Sequence, residues 1–475
     1  MAAEEETEPT SNSDAEMSLT PKEDNSQSSE FEDNDEEPHE STTTTTRTRR
    51  TTPLPSHLMN KEAHPAYIRY GIPLFLLCTF SLLLASDLSS GVSAEARLTI
   101  SGKVISHETL FTVSIFSSVS KLWEAKSYPL AILIFITSIC WPYLKLALCI
   151  FSWATPAGSH RRESLIEWLD ALGKWSFVDI FVLMVVMVAF RTSVPLGSKE
   201  TQAVNDIYVV PKWGFFGFVF ASICSLVVTH TILYRHRQVL YSKDCALDVR
   251  AVEGDEETSA KNEADVNFSA KAPLFQKTRR SPVLIAVLLV TTFVLLLVGS
   301  LVTSFTFTYQ RGESYYEERD FSIANIGLYV ADTALDANTF GIRFLQIIYF
   351  ILAIVTPLEN IVVFLVLYFV PMNGRLQRHV FFLSEITFAW STAEVMMISA
   401  IFSTKQIPNF GNAIVDTGCE TCYVVGAILR HPFWVYFAGA VLNLVVTFWL
   451  FRGAHCCLYD CGKMRVDRSR KGLFC

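Results

Sequence analysis

Eight stretches of the 475-residue chain are apolar over the length a bilayer demands, and this restricts the chain to folds a membrane accepts. A bilayer core takes about 20 mainly apolar residues per helix. Inside it every backbone N–H and C=O must be satisfied within the protein, so stretches of this kind become helices. They run over 67–86, 127–153, 174–192, 211–234, 282–305, 342–370, 388–405 and 432–451. The third and seventh are short and carry acids. The expected fold class is an all-α polytopic membrane protein with eight transmembrane helices.

Charge is concentrated away from these stretches. Residues 1–60 hold 15 acids and 4 bases, whereas the whole chain is −8. The acidity therefore describes a tail and not the body, which argues against a body that attracts basic partners. A segment so rich in Glu, Asp, Ser and Thr cannot bury enough apolar surface to offset its ordering entropy. The expected organisation is a disordered acidic cytoplasmic tail over 1–64, a four-helix membrane domain over 65–236, a charged cytoplasmic linker over 237–280, a second four-helix domain over 281–453 and a basic, Cys-containing cytoplasmic tail over 454–475. No apolar stretch lies near Met1, so the first span is expected to act as an uncleaved anchor.

Lys and Arg collect in short cytoplasmic loops. Arg47, Arg49, Arg50 and Lys61 precede the first span, Arg161 and Arg162 follow the second, and Arg235 and Arg237 follow the fourth. Arg375 and Arg378 follow the sixth, and Arg452 to Lys471 follow the eighth. Eight spans with this bias put both termini in the cytoplasm. Asn267-Phe268-Ser269 is then a cytoplasmic sequon, and a glycan on Asn267 would overturn the orientation. Alternation at Arg97–Ile100, Phe111–Ile115, Phe307–Tyr309 and Phe321–Ile323 reads as strands, a small extracytoplasmic β element in each half.

An offset of 215 residues relates the halves. It carries Pro142 onto Pro357, Lys145 onto Asn360, Trp175 onto Trp390, and Asp179 onto Glu394. Each tryptophan is followed by serine and, four residues on, by the acid. The halves read as tandem repeats in the same orientation.

The run Trp141-Pro-Tyr-Leu-Lys145, the basic loop with Arg161-Arg162, and Gly173-Lys-Trp-Ser-Phe-Val-Asp-Ile-Phe181 resemble the paraquat-inducible protein A family. The resemblance covers roughly 65–455 and is strongest over 125–192. It implies lipid handling: bacterial members act beside proteins with mammalian-cell-entry domains, and their membrane domain is thought to load or extract lipids with energy from proton movement through buried polar residues. This chain departs from the bacterial pattern. It lacks the Cys-x-x-Cys zinc ribbons before the first and fifth spans, and its acidic tail and charged linker look eukaryotic. The zinc part of the family picture therefore does not carry over.

A lone charge in mid-bilayer costs roughly 2.5–3.5 kcal/mol. Lys145 and Asp179 lie on neighbouring helices of the first half, and a contact between them would remove most of that cost. The bland alternative has Lys145 snorkelling to the headgroups and Asp179 capping its helix. In the second half Asn360 replaces the lysine, so Glu394 is expected to lack a partner and to be free to exchange protons. Pro142 and Pro357 are expected to kink their helices beside these polar residues.

Cys419 and Cys422 fall in the last outer loop, where a local disulfide is expected to persist. His455, Cys456, Cys457 and Cys461 are too cramped for zinc; palmitoylation suits membrane-adjacent cysteines better. No metal, cofactor or enzymatic constellation is expected, since no P-loop, dinucleotide loop, HExxH or nucleophile elbow occurs. Expected partners are membrane lipids and an unidentified extracytoplasmic protein, and not nucleic acid. Three functions remain open: lipid transport or membrane homeostasis, proton-coupled transport of a small hydrophobic or cationic solute, and a tetraspanin-like scaffold. They predict, respectively, an apolar membrane-facing cleft near Pro142 or Pro357, a closed polar cavity between the halves, and a packed core without a cavity.

Overall fold

The fold is given by a computed structural model of the chain. It describes residues 65–100, 103–155, 159–195, 203–252, 272–278, 280–311, 315–333, 339–415 and 424–459. The acidic tail, Asn267, Cys419, Cys422 and the final basic run lie outside these residues.

Among the described residues eight helices are long and apolar enough to span a membrane, at Ala66–Leu88, Tyr128–Ala154, Arg161–Ala189, Trp213–Gln238, Pro282–Leu301, Phe340–Phe369, Gly374–Asn409 and Phe433–Leu458. The third and seventh begin well before the expected 174 and 388. Their opening turns hold charged and polar residues that are buried against other helices, so a search for apolar runs truncates them. Burial ranks the spans: 72% of the third and 67% of the seventh is buried, against 33% of the first and fifth. The third, fourth and seventh spans thus sit in the middle, and the first and fifth stand outside. From Val178 to Ala189 every residue but Val186 is buried, which fits a segment apolar on nearly every face.

Close helix pairs lock each half. A Cβ at Gly217 would lie 3.0 Å from Ser86 Cβ, so the first and fourth spans approach closely there. At Gly299 a Cβ would lie 2.5 Å from Tyr436 Cα, and the fifth and eighth spans meet backbone to backbone. Small residues permit such approaches between membrane helices.

The connections after the odd-numbered spans build two antiparallel sheets. β1 (Val92–Ile100), β2 (Lys103–Val113), β3 (Thr192–Pro195) and β4 (Ala203–Pro211) assemble in the order β2-β1-β4-β3. β5 (Thr303–Arg311), β6 (Tyr315–Ser322) and β7 (Val424–Leu429) assemble in the order β6-β5-β7. Phe305, Phe307 and Tyr309 alternate inward along β5 and are fully buried. The sheets are thus completed by the loops after the third and seventh spans, which the alternation pattern did not single out. Two strand-like segments also end sooner than expected. Ile115 starts a helix to Glu124, capped by a reciprocal Ser114–Ser117 capping box, and Ile323 starts one to Thr333.

Candidate functional site

Each proline lies just after a wide turn. Phe135–Cys140 is π-helical immediately before Trp141-Pro142, and Ile351–Val355 is π-helical immediately before Thr356-Pro357. A proline cannot donate to the turn behind it, and a π turn accommodates the mismatch. In the second half a neighbouring helix takes up a freed acceptor: Thr392 Oγ1 donates to the Leu352 carbonyl at 2.7 Å. Thr356 Oγ1 donates across to the Trp390 carbonyl at 2.8 Å.

The acids also follow breaks. A 3-10 stretch, Gly173–Phe177, interrupts the third span, and Asp179 falls in the first turn of the helix that resumes at Val178. The seventh span breaks at Ser391-Thr392, and Glu394 falls in the first turn of the helix that resumes at Ala393. A carboxylate at a helix N-terminus is favoured by the exposed N–H groups and the helix dipole.

The structure does not bring Lys145 and Asp179 together. Lys145 is 1% exposed, and its Nζ lies where a Cβ on Gly173 would be 2.5 Å away. Its carboxylate neighbour is Asp170 on the adjacent span. Asp179 has Ser138 of the π turn as its hydrogen-bonding partner. The reason is axial: the 3-10 interruption places Asp170 and Gly173, not Asp179, at the level of Lys145.

Glu394 does not lack a partner either. It forms a buried ion pair with Lys174, which comes from the first half. The Lys174 ammonium also stands 4.3 Å from the Phe388 ring centroid. Asn360 is fully buried and accepts from Thr387 Oγ1 at 3.2 Å, whereas Glu359 faces outward. Trp175 packs against the core. Trp390 does more: its indole Nε1 donates to His230 Nε2 at 3.2 Å. With Nε2 accepting, neutral His230 carries its proton on Nδ1, which lies 2.9 Å from Asp170 Oδ2 but out of line with it.

A further charged group ties the halves at the end away from the sheets. Arg237 reaches Glu163 at 3.0 Å, Glu167 at 2.7 Å, and Glu385 of the seventh span. His455 of the eighth span is 3.5 Å from Glu167. Glu163, Glu167 and His455 offer metal-type ligand atoms within 4.8 Å of one another, yet Arg237 already supplies positive charge there. Lys174, Asp170, His230 and Glu385 were not singled out as site residues from the sequence, and Arg237, read there as a loop base after the fourth span, lies inside that span. The available signal was simple: an ionisable residue inside a membrane span is a functional candidate by default.

Asp179 also faces an apolar pocket of about 120 Å³. Val92, Val113 and Val209 of the first sheet roof it; Leu130 and Ile134 of the second span and Val182 and Leu183 of the third wall it. Ser403 and Ile407 of the seventh span contribute from the other half. Rim residues Phe111, Ser118, Lys121 and Gln406 are half-buried. An apolar wall with a few convergent polar groups is the usual make-up of a small-molecule site.

The family model described as Paraquat-inducible protein A matches residues 104–236. The intermembrane transport protein PqiA of Escherichia coli (strain K12) and that of Shigella flexneri are each 34% identical to the chain over 83 residues. The match covers 16% of this chain, and the chain spans a fifth of each relative's length. No solved structure matches. The matched residues run from β2 through the fourth span and include Pro142, the broken third span and the walls of the pocket. Through this stretch the chain is similar to the paraquat-inducible protein A family.

Proposed function

We propose that this membrane protein moves lipid or a lipid-like apolar molecule between the bilayer and the space on the sheet-bearing side. The observation that carries this reading is the apolar pocket between the first sheet and the second, third and seventh spans. The second span, which carries Pro142, supplies Leu130 and Ile134 to its wall, although Pro142 itself does not line it, and the relatives bear the name of intermembrane transport proteins. On this reading the halves are tandem repeats. Shared π turns before the prolines and shared helix breaks before the acids, at one offset, support that. The basic loops support both termini in the cytoplasm with the sheets outside, where a protein partner would dock. Membrane homeostasis is the process served, and no enzymatic step is involved.

The test is transfer of a fluorescent phospholipid out of vesicles that contain the purified full-length chain. Leu183→Trp, which fills the pocket, is expected to slow transfer at least tenfold while the protein stays folded. Unchanged transfer in that variant would refute the reading.

A second reading has its own observation. The Asp170–His230–Trp390 contacts and the Lys174–Glu394 pair line up buried ionisable groups between the halves, as a proton-coupled transporter of a small hydrophobic or cationic solute would need. Proton uptake that accompanies transfer, lost in Glu394→Gln, would support coupling. A tetraspanin-like scaffold would need no pocket at all.

A further inference from the structure

Two buried carboxylates near the pocket lack a cation. Asp179 is 9% exposed and lines the pocket, and its Oδ1 has no protein hydrogen-bond partner among the described residues. Asp87, at the sheet-side end of the first span, is fully buried and lies within Coulombic range of Asp179. It accepts from Tyr143 Oη at 2.7 Å, and its Oδ1 too is unsatisfied by protein. Neither acid has an ion-pair partner among the described residues, whereas Glu394, Glu385 and Glu163 deeper in the bundle all do.

The lining of the pocket repeats this pattern. Ser403 Oγ is buried, lines the pocket and has no partner among the described residues. Lys121 is the one cation among the lining residues. It stands at the rim, with its Nζ 4.8 Å from the Phe111 ring centroid. The interior surface is otherwise apolar, aliphatic apart from Phe215. Burying a carboxylate without a partner is costly, and burying two near each other costs more. Such a site gains most from a ligand that brings positive charge and N–H donors on an apolar body.

We infer that the pocket takes an amine-headed amphiphile, with its ammonium on Asp179 and Ser403 and its apolar segment along Val182 and Leu183. This rests on the reading of the pocket as the transport site and names the chemistry of the cargo. Size limits the enclosed part. A cavity of about 150 Å³ holds benzene, so the 120 Å³ here holds a segment of similar size. The amine belongs either to a small hydrophobic amine or to a single-chain aminolipid whose tail leaves between the rim residues.

Titration of the full-length chain in nonionic detergent with hexylamine, hexan-1-ol and hexanoate, read as thermal stabilisation, tests this at neutral pH. The three share a tail and differ in the head. Hexylamine is expected to bind about tenfold or more tightly than hexanol, the scale of a charge-assisted hydrogen bond, and hexanoate most weakly. Asp179→Asn should erase the difference between hexylamine and hexanol while hexanol binding persists, and Leu183→Trp should remove both. Dodecylamine assigns the source: tighter binding than hexylamine supports the aminolipid, weaker binding the small amine, and both keep the ammonium site.

Equal binding of hexylamine and hexanol to the wild-type chain would overturn the inference, as would a preference for hexylamine that survives in Asp179→Asn. If hexanol binds and Leu183→Trp abolishes it without any amine preference, the ammonium site fails and the apolar transport pocket stands. If none of the three binds, both fail.

Discussion

Lys174 and Glu394 are each almost fully buried, so each charge depends on the other. Breaking a buried pair by removing one partner costs about 3–5 kcal/mol, because an uncompensated charge is left behind, whereas replacing both by apolar residues is often neutral. Lys174→Met should therefore lower the unfolding temperature sharply, and Lys174→Met with Glu394→Leu should recover most of it. A double mutant as unstable as the single would show that the pair is not the relevant contact. Glu95 of β1 presents the opposite situation, at the sheets. Burial raises its pKa, but Lys212, Ser93 and His107 outweigh burial and hold it below the ordinary value of 4.5. A depressed acid stabilises the fold above its unfolded pKa and loses that contribution as pH falls through the folded value. Thermal stability should therefore drop as pH falls below 4.5, and Glu95→Gln should flatten that part of the profile.

Helix contacts were less legible in the sequence than helix positions. Apolar runs mark where a chain crosses a membrane, and most span ends agree within a few residues. The third and seventh spans were cut short because Glu163, Arg162, Gln377 and Glu385 read as loop residues. Their partners come from other segments of the chain, which no local pattern reveals. The same blindness paired Lys145 with Asp179 and left Glu394 alone: spacing orders residues along a helix, but the breaks at Gly173–Phe177 and Ser391-Thr392 shift their levels. The positions of the prolines and acids were legible; the π turns and breaks that make them matter were not. Glycine contacts test this scale. Gly299→Ala places a Cβ 2.5 Å from Tyr436 Cα, backbone that cannot rotate away. Overpacking of this kind costs about 1–3 kcal/mol, whereas Gly71→Ala, with open space around its Cβ, should be neutral or slightly stabilising. Comparison of the two unfolding temperatures checks both. Thr392→Val removes the shorter of two hydroxyl donors to the Leu352 carbonyl, Thr356 Oγ1 being the other at 3.2 Å, and should destabilise by about 0.5–1.5 kcal/mol in the same assay.

At the scale of the whole molecule, charge and cavity occupy different levels. The sheet-free end is bound across the halves by Arg237 and its carboxylates, and the middle by Lys174 and Glu394. Towards the sheets the ion pairs between the halves give way to an apolar pocket built from both halves, with Asp179 facing into it. On the proposed function, the apolar space built from both halves above that charged level is where an apolar guest is held. The most direct measurement is photocrosslinking of the full-length chain in nanodiscs with a diazirine-bearing acyl chain, followed by mapping of the labelled residues. The account predicts labels on Leu130, Ile134, Val182, Leu183 and Ile407 above the level of lipid-exposed residues such as Val287 and Val290, and their loss in Leu183→Trp. Labels confined to the outward faces of the first and fifth spans, unchanged by that substitution, would contradict it.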